Sequence, residues 1–439
     1  MVDRRAFLVG GGVLAGAGLA GCTDPTGDDG DGPTTSPTTA TDLQDWAAVR
    51  GLFDLDPGIR HFAAFTLAAH PRPVRDAIQA HRRGLDADTH GYLAANQAPR
   101  ERVVREAAAG YLGADVDEIA LTDSTTMGLG LLYGGLRLRP GQEAVTTEHD
   151  FYPTHEALRL RAERDGATVR RVRLYADATT ATQDEIVHAA RAAISPRTRL
   201  FAITWVHSST GAKLPVRAIA DTIAEANRDR DEADRVLLAV DGVHGFGVED
   251  ATVTDLGCDF FADGCHKWLF GPRGTGILYA RRGAWAATSP TIPAFENAAF
   301  AAWFQDHPPS LPFGPAMTPG GYHSFEHRWS LAEAFELHRA IGRRRVAERT
   351  HELRARLVDG LAGLRDVTLR TPKDPRLAAG IACFEVAGMA PGTAVARLAA
   401  AKVSASVTPY ATSYVRLGAS IVTSPEDVDA AVRAVAGLP

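Results

Sequence analysis

Lysine is scarce in this chain: Lys213, Lys267, Lys373 and Lys402 stand against 43 arginines. Arginine serves wherever a solvated cation is enough, but its guanidinium does not form an imine. A lysine kept inside an apolar, glycine-flanked stretch therefore points to Schiff-base chemistry. Lys267 is that lysine. It sits in Cys265-His266-Lys267-Trp268, between the apolar pair Phe260-Phe261 and the glycine-rich return Gly271-Pro272-Arg273-Gly274-Thr275-Gly276. Asp241, 26 positions upstream, closes the apolar run Val236–Val240, where a buried strand ends.

Other polar groups follow apolar runs in the same way. Ile119-Ala120-Leu121 leads into Ser124-Thr125-Thr126, a strand turning through hydroxyl residues into a helix, which is the build of an anion cradle. Ala144–Thr147 ends in Glu148-His149-Asp150-Phe151-Tyr152, and Leu200–Trp205 ends in Val206-His207-Ser208. Strands alternating with helices build a mostly parallel sheet with helices on both faces, a three-layer α/β architecture. Ligands in such sheets sit beyond the carboxyl ends of the strands. Ser124, His149, Ser208, Asp241 and Lys267 all occupy such ends, so they are expected to converge.

An imine-forming lysine paired with a buried acid is what pyridoxal phosphate requires. The amine holds the aldehyde carbon, and the carboxylate keeps the pyridine nitrogen protonated. Asp241-Gly242-Val243-His244, His266-Lys267-Trp268-Leu269 and Gly271-Pro272-Arg273-Gly274 together resemble the class V aminotransferases, within fold type I of the pyridoxal-phosphate enzymes. The likeness spans roughly residues 45–439 and is most similar to the isopenicillin-N-epimerase-like branch. It implies a large cofactor domain over 76–315, preceded by an arm over 45–75 and followed by a small α+β domain over 316–439. It further implies cofactor contacts from Ser124, Thr125, Thr126 and His266 to the phosphate. An aromatic stacked on the pyridine is His149, with Tyr152 second. Contact with the phenolic oxygen falls to Ser208, with His207 as the alternative, and His244 lies near the same oxygen. Arg416, in Tyr414-Val415-Arg416-Leu417-Gly418, matches the arginine that takes a substrate carboxylate, a bidentate fit. Met317–His327 matches a segment that crosses a homodimer. The chain departs from the branch at Phe62-Ala63-Ala64, where Asn-His-Gly is common, and at Asp263-Gly264-Cys265, where a phosphate-binding serine is missing.

The expected activity is attack on an amino acid or related amine through Lys267, as an aminotransferase or an epimerase. The alternatives are a C–S or β-elimination lyase, or an idle exported binding protein, which the intact Lys267–Asp241 pair disfavours. No cysteine lies between Cys265 and Cys383 to act as a persulfide nucleophile. No metal site is expected, although His323 and His327 have helical ligand spacing. A net charge of −6 with scattered arginines gives no nucleic-acid footprint. Residues 1–22, with Arg4-Arg5 and Leu19-Ala20-Gly21-Cys22, resemble a Tat export signal ending in a lipobox. Lipid on Cys22 and anchorage outside the bacterial cytoplasmic membrane are the expectation. Gly10, Gly12 and Ala15 match a dinucleotide fingerprint only formally, because no strand precedes them. Residues 23–44, rich in Pro, Gly, Thr and Asp, read as a disordered tether. Helices are expected over Val74–Leu85 and Arg100–Leu112. Trp329–Leu364 reads as one helix or two broken near Gly342, and Pro290–Pro319 as irregular.

Overall fold

Seven strands form one sheet: β1 Ile119–Thr122, β2 Glu143–Thr147, β3 Thr168–Val172, β4 Thr198–Thr204, β5 Leu237–Asp241, β6 Phe260–Gly264 and β7 Gly276–Ala280. The order across the sheet is β1-β7-β6-β5-β4-β2-β3. β3, β2, β4, β5 and β6 pair in parallel, and β7 runs antiparallel to both β6 and β1. This computed structural model describes residues 41–438. Cys22, the Arg4-Arg5 leader and nearly all of the tether lie outside the described residues.

Every strand but β3 is buried along its whole length, which is why the apolar runs announce them. β3, Thr-Val-Arg-Arg-Val, is one of the two edge strands; it is half-exposed and carries charge, the usual defence of an open edge. Register puts Thr204, Asp241 and Ala262 side by side, so the carboxyl ends of β4, β5 and β6 share one rim.

Helices cover both faces. Leu129, Leu132 and Tyr133 of the helix Thr125–Gly135 pack on Ala120, Ala262 and Leu278. On the other face Val104, Tyr111, Ile219, Leu331 and Phe335 pack on Phe201, Val240, Phe261 and Ile277. Each fully buried Phe or Leu of this kind contributes about 1.5–3 kcal/mol. The helix read as Arg100–Leu112 begins eleven residues earlier, at Thr89, where Asp88 caps it by accepting the Gly91 N–H at 2.9 Å. Its first turns are polar and contain Pro99, so they carry no apolar stripe.

The long helical stretch breaks at Gly342, whose φ of 96° is open to glycine but not to other residues. Leu331–Ile341 lies on the large sheet, whereas Leu353, Leu357 and Leu361 of Arg343–Ala362 pack on a second sheet. That sheet comprises β8 Val367–Leu369, β9 Ile381–Val386, β10 Ser406–Val407 and β11 Val415–Gly418, all antiparallel in the order β10-β11-β9-β8. The break is thus where the chain changes layers. The 290–319 stretch holds two short helices, Asn297–Phe304 and Phe313–Met317.

Candidate active site

Lys267 follows β6 in a tight hook. Cys265 N–H donates to Thr275 O (2.9 Å), Gly271 N–H to Cys265 O (2.8 Å) and Phe270 N–H to Lys267 O (2.9 Å). Phe270, at φ 58°, takes a left-handed conformation costly for a bulky residue. Burial and an edge contact with Phe53, ring centroids 5.0 Å apart, hold it there. The hook brings Lys267 under the influence of Asp263, Asp241 and Arg416. Burial lowers the pKa of its amine, the two carboxyls oppose that, and Arg416 adds to it. More of the neutral amine, the form that attacks a carbonyl, results.

Asp241 is buried at the end of β5, and its Oδ1 accepts the Val243 N–H at 3.1 Å. Burial pushes its carboxyl up to about 7; Lys267 and the Val243 N–H pull the other way. Such a carboxyl ionises readily only when a cation comes against it, which suits a protonated ring nitrogen. Asp263, one residue past the β6 position facing Asp241, is also buried, and its Oδ2 has no hydrogen-bond partner. Burial and Asp241 hold its carboxyl well above the usual range.

The anion cradle lies at the start of Thr125–Gly135. Ser124 is the N-cap, its Oγ accepting the Met127 N–H at 3.1 Å. Thr125 Oγ1 and His266 Nδ1 are both buried without a partner. They flank the same glycine: a Cβ on Gly264 would lie 3.1 Å from Thr125 Oγ1 and 3.2 Å from His266 Nδ1. Two unsatisfied polar atoms beside a helix N-terminus fit a phosphate group. Thr126 is exposed.

His149 stacks on Tyr175 with centroids 3.9 Å apart and planes 5° from parallel. Asp150 fixes the turn that presents it: Oδ2 accepts from Thr146 Oγ1 (2.6 Å) and Thr147 N–H (2.7 Å), and Oδ1 from Thr204 N–H (2.7 Å). One carboxylate therefore ties the rim of β2 to that of β4. Burial lowers the pKa of His149, leaving a neutral flat ring whose Nε2 has no partner. His207 is enclosed behind it, 5.2 Å away, with Nδ1 2.8 Å from the Tyr175 hydroxyl. Tyr152, the second aromatic candidate, is 66% exposed. His155 contacts Thr147 O through Nε2 (2.7 Å).

Two elements of the small sheet close over the rim. Ser208 Oγ lies 2.9 Å from the Tyr410 hydroxyl, and Arg416 Nη1 donates to Ser208 O at 3.3 Å. Arg416 also donates from Nε to Ser406 Oγ (3.0 Å), and its guanidinium lies 4.2 Å from the centre of the Phe65 ring. Arg416 is buried, and among the described residues it forms no ion pair. His244 Nδ1 accepts from Trp268 Nε1 (3.2 Å), beside Phe65. Phe65 belongs to an arm stitched to both sides: Gly418 N–H donates to Phe62 O (2.8 Å) and Ala68 N–H to His266 O (2.9 Å). His327 Nδ1 lies 2.9 Å from Arg273 O. Among the described residues no group of three or more His, Cys, Asp or Glu could hold a metal ion.

The structure thus brings together Ser124, Thr125, His149, Ser208, Asp241, His244, His266, Lys267 and Arg416. Sequence reasoning passed over Asp150, Tyr175, Asp263, Phe65 and Tyr410. Asp150 carried a signal, standing next to His149 and after two strand-end threonines. Tyr410 carried none, because its partner is 202 residues away.

The family model for class V aminotransferases matches residues 68–430, and the chain belongs to that family. It is a pyridoxal-phosphate-dependent enzyme with the fold type I architecture. The isopenicillin N epimerase of Amycolatopsis lactamdurans is 29% identical over 378 residues, covering 80% of this chain and 87% of that protein. The isopenicillin N epimerase of Streptomyces clavuligerus is 28% identical over 400 residues, covering 88% and 96%. Among solved structures, C-DES with glycine covalently linked to its pyridoxal-phosphate cofactor superposes with a TM-score of 0.81 at 21% identity, covering 88% of this chain and 99% of that one. That likeness concerns the fold.

Proposed function

We propose that this enzyme inverts or exchanges at the α-carbon of an amino acid, an epimerase-type reaction. The observation that carries the reading is Arg416: a buried guanidinium with no acidic partner among the described residues, close enough to lower the pKa of Lys267. A buried unpaired cation is costly, and a substrate carboxylate is the partner that relieves it. The similarity to two isopenicillin N epimerases over most of the chain supports the same reading.

Bound pyridoxal phosphate supplies a ring that stabilises negative charge at the carbon losing its proton. Thr125 Oγ1, His266 Nδ1 and the Ser124 cap hold its phosphate. His149, backed by Tyr175, gives it a flat apolar face. Asp241 would hold the ring nitrogen's proton, and Ser208 Oγ would serve the phenolic oxygen, with His244 beside it. Lys267 Nζ would be the amine that holds the aldehyde carbon of the cofactor and, when free of it, the general base placed to move the α-proton. Phe65 and Trp268 keep water from the Arg416 side.

Among the described residues, desulfuration through a protein persulfide lacks an accessible thiol nucleophile. The thiols of Cys258, Cys265 and Cys383 are buried, and burial holds all three protonated, Cys383 at about 12. Borohydride reduction of the holoenzyme followed by peptide mapping tests the Lys267 role: the pyridoxyl label should sit on Lys267, and label on any other lysine refutes it. Incubation with separate L- and D-amino acids should then yield the opposite enantiomer. Accumulation of keto acid, or of pyruvate with released thiol, would replace the epimerase reading with transamination or elimination.

The finer expectations join this proposal: a homodimer, exported by the Tat-like leader and anchored by lipid on Cys22. Sedimentation equilibrium should give twice the chain mass. Cys22→Ala should leave the membrane fraction; persistence of that variant in washed membranes counts against lipid anchorage.

A further inference from the structure

Three neighbouring strand ends deliver three rings to one spot. His149 follows β2, Tyr175 follows β3 and His207 follows β4, and these strands lie side by side in the order β4-β2-β3. Tyr175 lies flat on His149, with centroids 3.9 Å apart and planes 5° from parallel. His207 closes the group, 5.2 Å from His149 and 5.7 Å from Tyr175. The Tyr175 hydroxyl has two anchors, His207 Nδ1 at 2.8 Å and Thr210 Oγ1 at 3.4 Å. Both belong to one turn, in which Gly211 N–H donates to His207 O (2.7 Å) and His207 N–H to Ala212 O (2.8 Å). Tyr175 is 3% exposed and His207 is wholly buried, whereas His149 is only half-buried. The open surface of the His149 imidazole therefore lies away from Tyr175, where a planar ligand can rest on it.

The terminal torsion of a histidine is soft, so its ring plane has to be set by what touches it. Asp150 fixes the backbone of the His149 turn, through Thr146, Thr147 and Thr204, but it does not reach the ring. Nε2 of His149 is buried without a hydrogen-bond partner, so nothing at that atom orients the imidazole. The stacked phenol does. Burial holds His207 well below the usual histidine range, and it lowers His149 as well, so the stack carries no charge. We propose that Tyr175 is a positioning residue for the cofactor: pinned by His207 and Thr210, it fixes the plane of His149, and through that plane the tilt at which the pyridine ring is held. The inference rests on the placing of His149 against the cofactor ring. Tilt has a chemical consequence, because a conjugated ring takes up the electron pair of a breaking bond only when that bond stands upright on its plane.

The test is a double-mutant cycle on cofactor binding. Cofactor-free protein is titrated with pyridoxal phosphate, and the visible absorption and circular dichroism bands are followed. Tyr175→Leu should weaken cofactor affinity by about tenfold, the upper range for one aromatic pair. It should also shrink the circular dichroism signal per bound cofactor, which reports how rigidly the ring sits. In the His149→Leu background the same change should alter affinity by less than about twofold, because nothing remains for Tyr175 to position. Tyr175→Phe keeps the ring but loses the tie to His207 and Thr210; it should weaken affinity by about threefold, again only where His149 is present. A tenfold loss in both backgrounds overturns the inference by making Tyr175 a packing residue, and wild-type affinity and dichroism in Tyr175→Leu overturn it as well. Should melting of the cofactor-free protein show Tyr175→Leu to be unfolded, the Tyr175→Phe cycle decides on the same terms. Unchanged affinity in His149→Leu alone overturns the placing of His149 against the cofactor, and this inference with it.

Discussion

Replacing Arg416 with methionine separates a binding role from a structural one, because the two predict opposite effects. The guanidinium is 6% exposed, bonded to Ser406 Oγ and Ser208 O, and without an acidic partner among the described residues. Methionine gives up two neutral-acceptor hydrogen bonds, at about 1 kcal/mol each. It also removes a buried, unpaired cation whose desolvation costs several kcal/mol. Unfolding free energy should therefore change by no more than about 1 kcal/mol, or rise. Binding should suffer. Each charge-assisted hydrogen bond to a carboxylate is worth about 1.5–3 kcal/mol. A two-pronged contact at the lower bound is about 3 kcal/mol, or roughly a hundredfold in affinity. The assay compares glycine with methylamine by titration of the holoenzyme's absorption band. Glycine should bind about a hundredfold more weakly to Arg416→Met, and methylamine, which lacks the carboxylate, within about twofold of wild type. Equal weakening of both ligands, or a drop in urea midpoint with glycine affinity intact, would refute the assignment.

Two further outcomes follow from the rim. Asp241 sits at about 7 instead of 3.8, so its contribution to the cofactor-free protein is fully present below 3.8 and is lost as pH rises through about 7. That is about 3 kcal/mol between roughly pH 5 and pH 8; urea unfolding of the cofactor-free Asp241→Asn variant should show a correspondingly flatter pH dependence, and an unchanged slope contradicts it. Gly418→Ala would place a Cβ 2.5 Å from the Phe65 ring and 3.1 Å from Trp268. Overpacking of this kind costs about 1–3 kcal/mol, so the melting temperature should fall, and glycine should bind more weakly as Phe65 leaves Arg416.

Much of this was legible because buried parallel strands leave continuous apolar runs. Val236–Val240 and Leu200–Trp205 mark β5 and β4 closely, and the groups just beyond them reach one rim. β3 was not legible, because an edge strand with two arginines has neither a buried run nor a clean alternation. The polar start of Thr89–Leu112 was hidden for a similar reason: its opening turns carry little apolar surface and include a proline. Within the site, Lys267 stood out through scarcity. Asp263 did not, since nothing in a lone acid beside glycine says that it will be buried without a partner. Phe65 and Tyr410 are placed by sheet closure between segments hundreds of residues apart, which no local pattern encodes.

The Thr408–Tyr414 turn satisfies its own backbone and hydroxyl groups, and its partners across the cleft are few. Natural drift or laboratory shuffling can exchange the exposed Pro409, Ala411 and Thr412 of this turn, whereas Thr408 is buried and Tyr414 packs against the main core. The lysine hook and the cofactor ledge would remain as a fixed chassis, and new turns would alter which amine is admitted. Libraries restricted to these positions offer the shortest route to altered amine preference.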